Sequence, residues 1–132
     1  MADLFIRMLL GHLVGDYLLQ NERMAMRKSA PGASGWAWCT WHCCLYTAAI
    51  CCFSWNASPM FITLIFLSHF PIDRWSLADA WLKRLGGRSI LAAHSELNEF
   101  REIRIAFACV VYAVADNTMH LVLLWLIALF VT

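Results

Sequence analysis

The 132-residue chain has room for one domain, and 61% of it is hydrophobic while only 14% is charged, against roughly 45–50% and about 25% in ordinary soluble domains. That balance predicts a membrane protein. A formal net charge of +1 supplies no basic field of the kind that nucleic-acid binders carry, which excludes nucleic acid as the principal partner.

The first apolar segment is expected at about residues 4–20. Asp3 precedes it, and His12 and Asp16 interrupt it, unlike the core of a cleavable signal peptide, so it is expected to stay in the mature protein. His12, Asp16 and Gln20 are spaced four apart. On a helix they stack on one face, and a carboxylate buried there needs a partner. Gly11 and Gly15 share this spacing, which suits close approach of a second helix. A basic linker follows with Arg23, Arg27 and Lys28, ending in Ala30-Pro31-Gly32-Ala33-Ser34.

The second apolar segment, about 35–54, opens with Trp36, Trp38 and Trp41 and carries His42; grouped tryptophans suit a membrane–water interface. An uncharged turn, Trp55 to Pro59, leads to a third segment at about 59–73, which Pro71 is expected to kink or end beside His69 and Asp73. Residues 74–104 form a polar stretch with six Lys/Arg. It reads as a hairpin: an amphipathic piece over 76–85, a turn at Gly86-Gly87, and a charged helix start over 95–104. The last apolar segment, about 105–131, is broken only by Asp116, Asn117 and His120. The expected fold is therefore an all-α polytopic membrane bundle of about four apolar helices, with a polar cytoplasmic hairpin between the third and fourth. The positive-inside rule puts both basic loops in the cytoplasm and both termini outside.

In that topology the buried polar residues agree in depth. His12, Asp16, His42, His69, Asp73, Asp116 and His120 form a candidate metal set, because imidazole and carboxylate on facing helices are the ligands of zinc, manganese or iron. Seven groups exceed one structural zinc site, so one or two divalent transition-metal ions are expected, zinc or manganese first, with some of the seven orienting the others. Asp16, Asp73 and Asp116 are the candidate catalytic carboxylates. Gln20, Asn117 and Arg74 are supporting neighbours, Arg74 either meeting an anionic substrate or reaching lipid headgroups. The six cysteines read as helix-packing residues, with Cys39 and Cys43 near enough to His42 to be alternative ligands. His94 belongs to the polar hairpin and is left out of the set. No phosphate-binding glycine loop is present, and Ser68 beside His69 faces about 100° away on a helix, which argues against a Ser/His dyad.

Gly11-His12-Leu13-Val14-Gly15-Asp16-Tyr17-Leu18-Leu19-Gln20, the lone His42, Ser68-His69-Phe70-Pro71-Ile72-Asp73 and Ala115-Asp116-Asn117-Thr118-Met119-His120 together resemble the DUF3307 family of small bacterial and phage membrane proteins, over nearly the whole chain. The resemblance implies a compact polytopic bundle and names no activity. The pattern is also similar, more loosely, to membrane-bound metal-dependent hydrolases. Members of the first family commonly carry Lys after the third-helix Asp or Gln after the last Asp, where this chain has Arg74 and Asn117; that departure touches substrate contacts more than metal binding.

The expectation is thus a multi-pass protein of the bacterial inner membrane and a metal-dependent hydrolase of a phosphoester or another membrane-proximal substrate. Its partners would be membrane lipid, a small anionic or lipid substrate, and a second copy of the chain. Two other classes fit the same residues: proton or metal-ion transport through the His/Asp chain, and a non-catalytic membrane partner or phage accessory protein whose polar pairs only join helices.

Overall fold

The structure is a computed structural model that describes residues 2–86, 90–95 and 99–131. Every regular element among them is helical: α1 (Ala2–Leu13), a π-helical turn (Val14–Leu18), α2 (Glu22–Arg27), α3 (Gly32–Ser54), α4 (Pro59–Arg74), α5 (Leu77–Gly86), α6 (Ile90–Ser95) and α7 (Arg101–Val131).

Local chemistry sets the boundaries. The π-turn closes with Leu19 N–H on Val14 O at 2.9 Å, and the chain leaves the helix before Gln20. Asn21 then caps α2, its Oδ1 accepting from Met24 N–H at 3.0 Å. α3 ends at Trp55, which adopts φ 55, a left-handed conformation costly for a bulky side chain. Ser58 caps α4 through Phe61 N–H, and Pro59 takes the first helical position, where its missing N–H costs nothing. Pro71 does not end α4, which continues to Arg74.

α1, α3, α4 and α7 form an antiparallel bundle in which α1 packs on α3 and α7, and α4 packs on α3 and α7. One end holds the apolar core of Met8, Tyr46, Ile50, Phe61, Ile65, Leu124, Ile127 and Ala128. Burying each of the large members contributes about 1.5–3 kcal/mol. From this core the chain reaches a buried layer of His12, His42, His69 and His120 in the same direction on every helix, up α1 and α4 and down α3 and α7. The glycines set how close the helices come. A Cβ on Gly11 would lie 2.8 Å from Ile50 Cα, and one on Gly15 would lie 2.8 Å from the Tyr46 ring, so α1 and α3 meet at a distance only glycine permits. All six cysteines are free; Cys39 and Cys43 are buried side by side, Sγ to Sγ 4.0 Å, and pack α3.

The expected set of about four membrane-crossing apolar helices is corrected. Among the described residues only α7 is long and apolar enough to cross a membrane, by length and composition. α1 has 12 residues and α4 has 16, both short of the ~20 that a span takes. α3 has 23 residues, but Gly32, Ser34, Gly35, Thr40, His42 and its tryptophans dilute its hydropathy. The polar stretch holds α5 where the amphipathic piece is expected and a separate short helix α6, the basic linker contains α2, and α7 begins at Arg101, within the stretch read as a charged helix start. The expected turn at Gly86-Gly87 is described only for Gly86, the last residue of α5; Gly87 lies outside the described residues, as do 96–98 of the charged helix start.

Candidate metal centre

Each bundle helix delivers one histidine to the end of the core, and α4 and α7 add a carboxylate one turn away. The π-turn adds a third, Asp16. His42 Nε2 and His69 Nε2 face each other at 3.0 Å. Around them, Asp73 Oδ2 lies 3.0 Å from His42 Nε2 and 3.1 Å from His69 Nε2, while Asp16 Oδ1 lies 3.2 and 3.5 Å from the same two atoms. His120 Nε2 closes the group at 3.6 Å from Asp73 Oδ1 and 3.8 Å from Asp116 Oδ2.

The rings are held by stacking. Tyr46 lies 3.6 Å from His69, centroid to centroid, and His69 lies 4.2 Å from His120. With its plane fixed, each imidazole aims Nε2 at the carboxylates.

Three sets of side chains each bring their ligand atoms within 4.8 Å of one another: Asp16, His69 and His120; His42, His69 and Asp73; Asp73, Asp116 and His120. These buried His/Asp groups are able to hold a metal ion. The residues fit one on a second count. Asp16 Oδ1, Asp73 Oδ1 and His120 Nε2 are buried without a hydrogen-bond partner among the described residues, although donors or acceptors lie within 3.2–3.6 Å. Polar atoms that converge so closely without hydrogen bonding are disposed as ligands around a shared point. The charge balance agrees, because among the described residues three carboxylates meet a single ammonium, Lys28, and burying unpaired charge is costly.

His12 stands at the edge. Its Nδ1 lies 3.2 Å from the Tyr46 hydroxyl and 3.3 Å from Asp16 Oδ2, and its Nε2 lies 2.8 Å from Asn117 Oδ1. Both ring nitrogens are engaged, and His12 belongs to none of the three ligand sets; its geometry is that of a residue orienting Asp16. Asn117 in turn donates to the Tyr17 hydroxyl and to Ala113 O. Gln20 has left the helical stripe, and its amide donates to Asp16 O at 3.3 Å. Arg74 is buried and turned away from the cluster, its guanidinium 4.9 Å from the Trp36 ring centroid. Cys39 and Cys43 stay outside the ligand sets, Cys39 facing Phe70 O. Ser68 donates to Ile65 O on its own helix. His94 is exposed and receives Arg101.

Sequence periodicity does not reveal Lys28. It follows α2, and its Nζ reaches 2.9 Å from Asp73 Oδ2. Burial works to lower the Lys28 ammonium, but the charge of Asp73 and the hydrogen bond to it outweigh burial and raise it above the ordinary lysine value. Tyr46 is the other omission; it falls four residues after His42 on α3, a spacing that carried the signal.

The cluster opens on a cavity of about 180 Å³ lined by Asp16, Tyr17, Gln20, Lys28, Asp116 and Asn117, with Tyr112 and two alanines. Over residues 4–132 the sequence matches the family described as "Protein of unknown function (DUF3307)". The chain belongs to the DUF3307 family. No curated protein and no solved structure matches it. In this DUF3307 chain the matched span contains every residue of the His/Asp cluster.

Proposed function

We propose that this protein is a metal-dependent hydrolase of a phosphoester or similar membrane-proximal substrate, working with one or two zinc or manganese ions in the bacterial inner membrane. The observation that carries the reading is the meeting of three imidazoles and three carboxylates, two of which, Asp16 and Asp116, line an adjoining cavity. Imidazole and carboxylate together are the ligand chemistry of those ions. When bound, such an ion lowers the pKa of water toward about 7 and polarises a phosphoryl oxygen.

The chain's own groups divide the remaining work. His42, His69 and Asp73 are buried away from the cavity and suit holding. Asp16 and Asp116 line the cavity, and Asp116, whose carboxylate stands 3.8 Å from His120 Nε2, is the group best disposed to take a proton from an attacking water. The Gln20 amide faces the same cavity and keeps one N–H to orient a substrate's oxygens, while the Asn117 amide, both its N–H groups engaged by Tyr17 and Ala113, positions Tyr17. Membrane residence is supported by α7, the single candidate span among the described residues, whose Phe107, Val110 and Val114 are mostly exposed.

The test is elemental analysis of protein purified without chelator, joined to phosphate release from a generic aryl phosphate. Stoichiometric zinc or manganese, and turnover that ends on chelation and returns with the metal, are expected. Protein that holds no transition metal after purification and takes up none on titration overturns the reading.

A further inference from the structure

The cavity beside the cluster does not end in polar surface. Tyr17 lines it together with Asp16, Lys28 and Asp116, and the same Tyr17 lines a second, apolar groove of about 310 Å³ formed with Leu10, Leu13, Val14, Leu18 and Phe53. The groove runs along α1 and the π-turn against α3, and its wall is almost wholly apolar. Leu13, Tyr17 and Leu18 are exposed on it. Its volume lies at the lower end of the range for ligand pockets, about 300–1,000 Å³. A polar, cation-bearing chamber and an oily channel therefore share one tyrosine wall.

The geometry points to an amphiphile with a phosphate head and a single alkyl-type chain as the ligand, its head in the chamber beside Lys28 and its chain in the Leu10–Leu18 groove. The inference rests on the metal-site reading, since cations at Asp16, Asp73 and Asp116 remove the negative charge that would repel a phosphate. Lys28 then contributes the one ammonium of the chamber. The chain argument is independent of charge. A water-soluble phosphoester would gain nothing from a groove whose wall is almost wholly apolar, whereas a hydrocarbon chain gains contact along its length. Tyr17 holds the junction, its hydroxyl accepting from Asn117 in the polar half while its ring faces the apolar half.

The experiment uses the full-length protein in non-ionic detergent and a dodecyl phosphonate carrying a mid-chain diazirine, which has no phosphoester bond to cleave. The dodecyl alcohol with the same diazirine serves as the uncharged comparison. Photolabelling is mapped by peptide mass spectrometry. Labelling concentrated on residues 10–18 and Phe53, roughly tenfold above the alcohol as one charge-assisted contact predicts, is the expected result. Lys28→Gln should remove that head-group preference, and Leu18→Gln, at a position 76% exposed and harmless to folding, should reduce labelling of Leu13 and Phe53. Labelling spread evenly over the bundle, including the Phe107, Val110 and Val114 face of α7, overturns the inference, as does groove labelling equal for phosphonate and alcohol. The two readings fail separately. Groove labelling with no metal-dependent phosphate release from dodecyl phosphate sinks the hydrolase and leaves the amphiphile; equal turnover of ethyl and dodecyl phosphate without groove labelling does the reverse.

Discussion

Lys28 Nζ sits 2.9 Å from Asp73 Oδ2 with only 13% and 1% of the two side chains exposed, so a residue from the basic linker enters the innermost part of the cluster. It crosses from the end of α2 to the end of α4. The pair ties the linker to the bundle and supplies the cluster with an ammonium charge.

Removing that charge should be costly in the metal-free protein. Lys28→Met leaves Asp73 buried without its ammonium, a loss of about 3–5 kcal/mol, to be read from chemical unfolding in chelator. Added zinc or manganese should recover part of the loss. The raised value of Lys28 also fixes a pH dependence. The pair's stability is fully present below the unfolded lysine value of about 10.4 and is lost as pH rises through the higher folded value. Wild-type protein in chelator should therefore lose stability in that alkaline window, and Lys28→Met should not show that component.

Asp73 and His12 should separate holding from orienting. Asp73 belongs to two of the three ligand sets and His12 to none. Asp73→Asn is expected to abolish stoichiometric metal in a competition titration. His12→Ala should keep the stoichiometry and weaken affinity by about 10–100-fold, the usual scale for groups behind the ligands. Equal losses in both variants would contradict the assignment.

The two glycines of α1 and the π-turn should respond differently to alanine. Gly11→Ala drives a methyl against Ile50 backbone at 2.8 Å, which cannot swing aside, and should cost about 1–3 kcal/mol with metal stoichiometry unchanged. Gly15→Ala meets the Tyr46 side chain at 2.8 Å. Tyr46 Cα also stands at 3.1 Å, and relief turns a buried ring that stacks on His69, so the expected loss falls on metal affinity as well as on stability. Thermal unfolding and metal titration of both variants check the contrast.

The Asn21 cap should govern Lys28 from a distance. Asn21→Ala removes the acceptor for Met24 N–H at 3.0 Å and should cost about 1 kcal/mol. Because α2 is only six residues long, the loss should loosen it and raise amide exchange over residues 22–28 ahead of the bundle helices.

The i, i+4 pairs at His12/Asp16, His69/Asp73 and Asp116/His120 were legible because helical spacing is a local rule, and all three pairs come within 3.3, 3.1 and 3.8 Å. The Gly11/Gly15 spacing was legible for the same reason. Membrane crossing was less so. Average hydrophobicity says how much apolar surface a chain has, whereas spanning depends on unbroken length, and the breaks after Leu13 and Arg74 leave α1 and α4 too short.

By itself the sequence determined that the chain is helical, that its imidazoles and carboxylates ride on helix faces in pairs, and that α1 carries glycines able to admit a neighbour. These follow from spacing along one helix. Only the tertiary structure decided that the pairs meet at one end of the bundle, that Arg74 turns toward Trp36, that His12 is consumed by Tyr46 and Asn117, and that Lys28 completes the cluster. The physical reason is that convergence depends on how four helices rotate and slide against one another, and on where a short linker folds back. Contacts such as Lys28 with Asp73, 45 residues apart, leave no periodic trace in the chain.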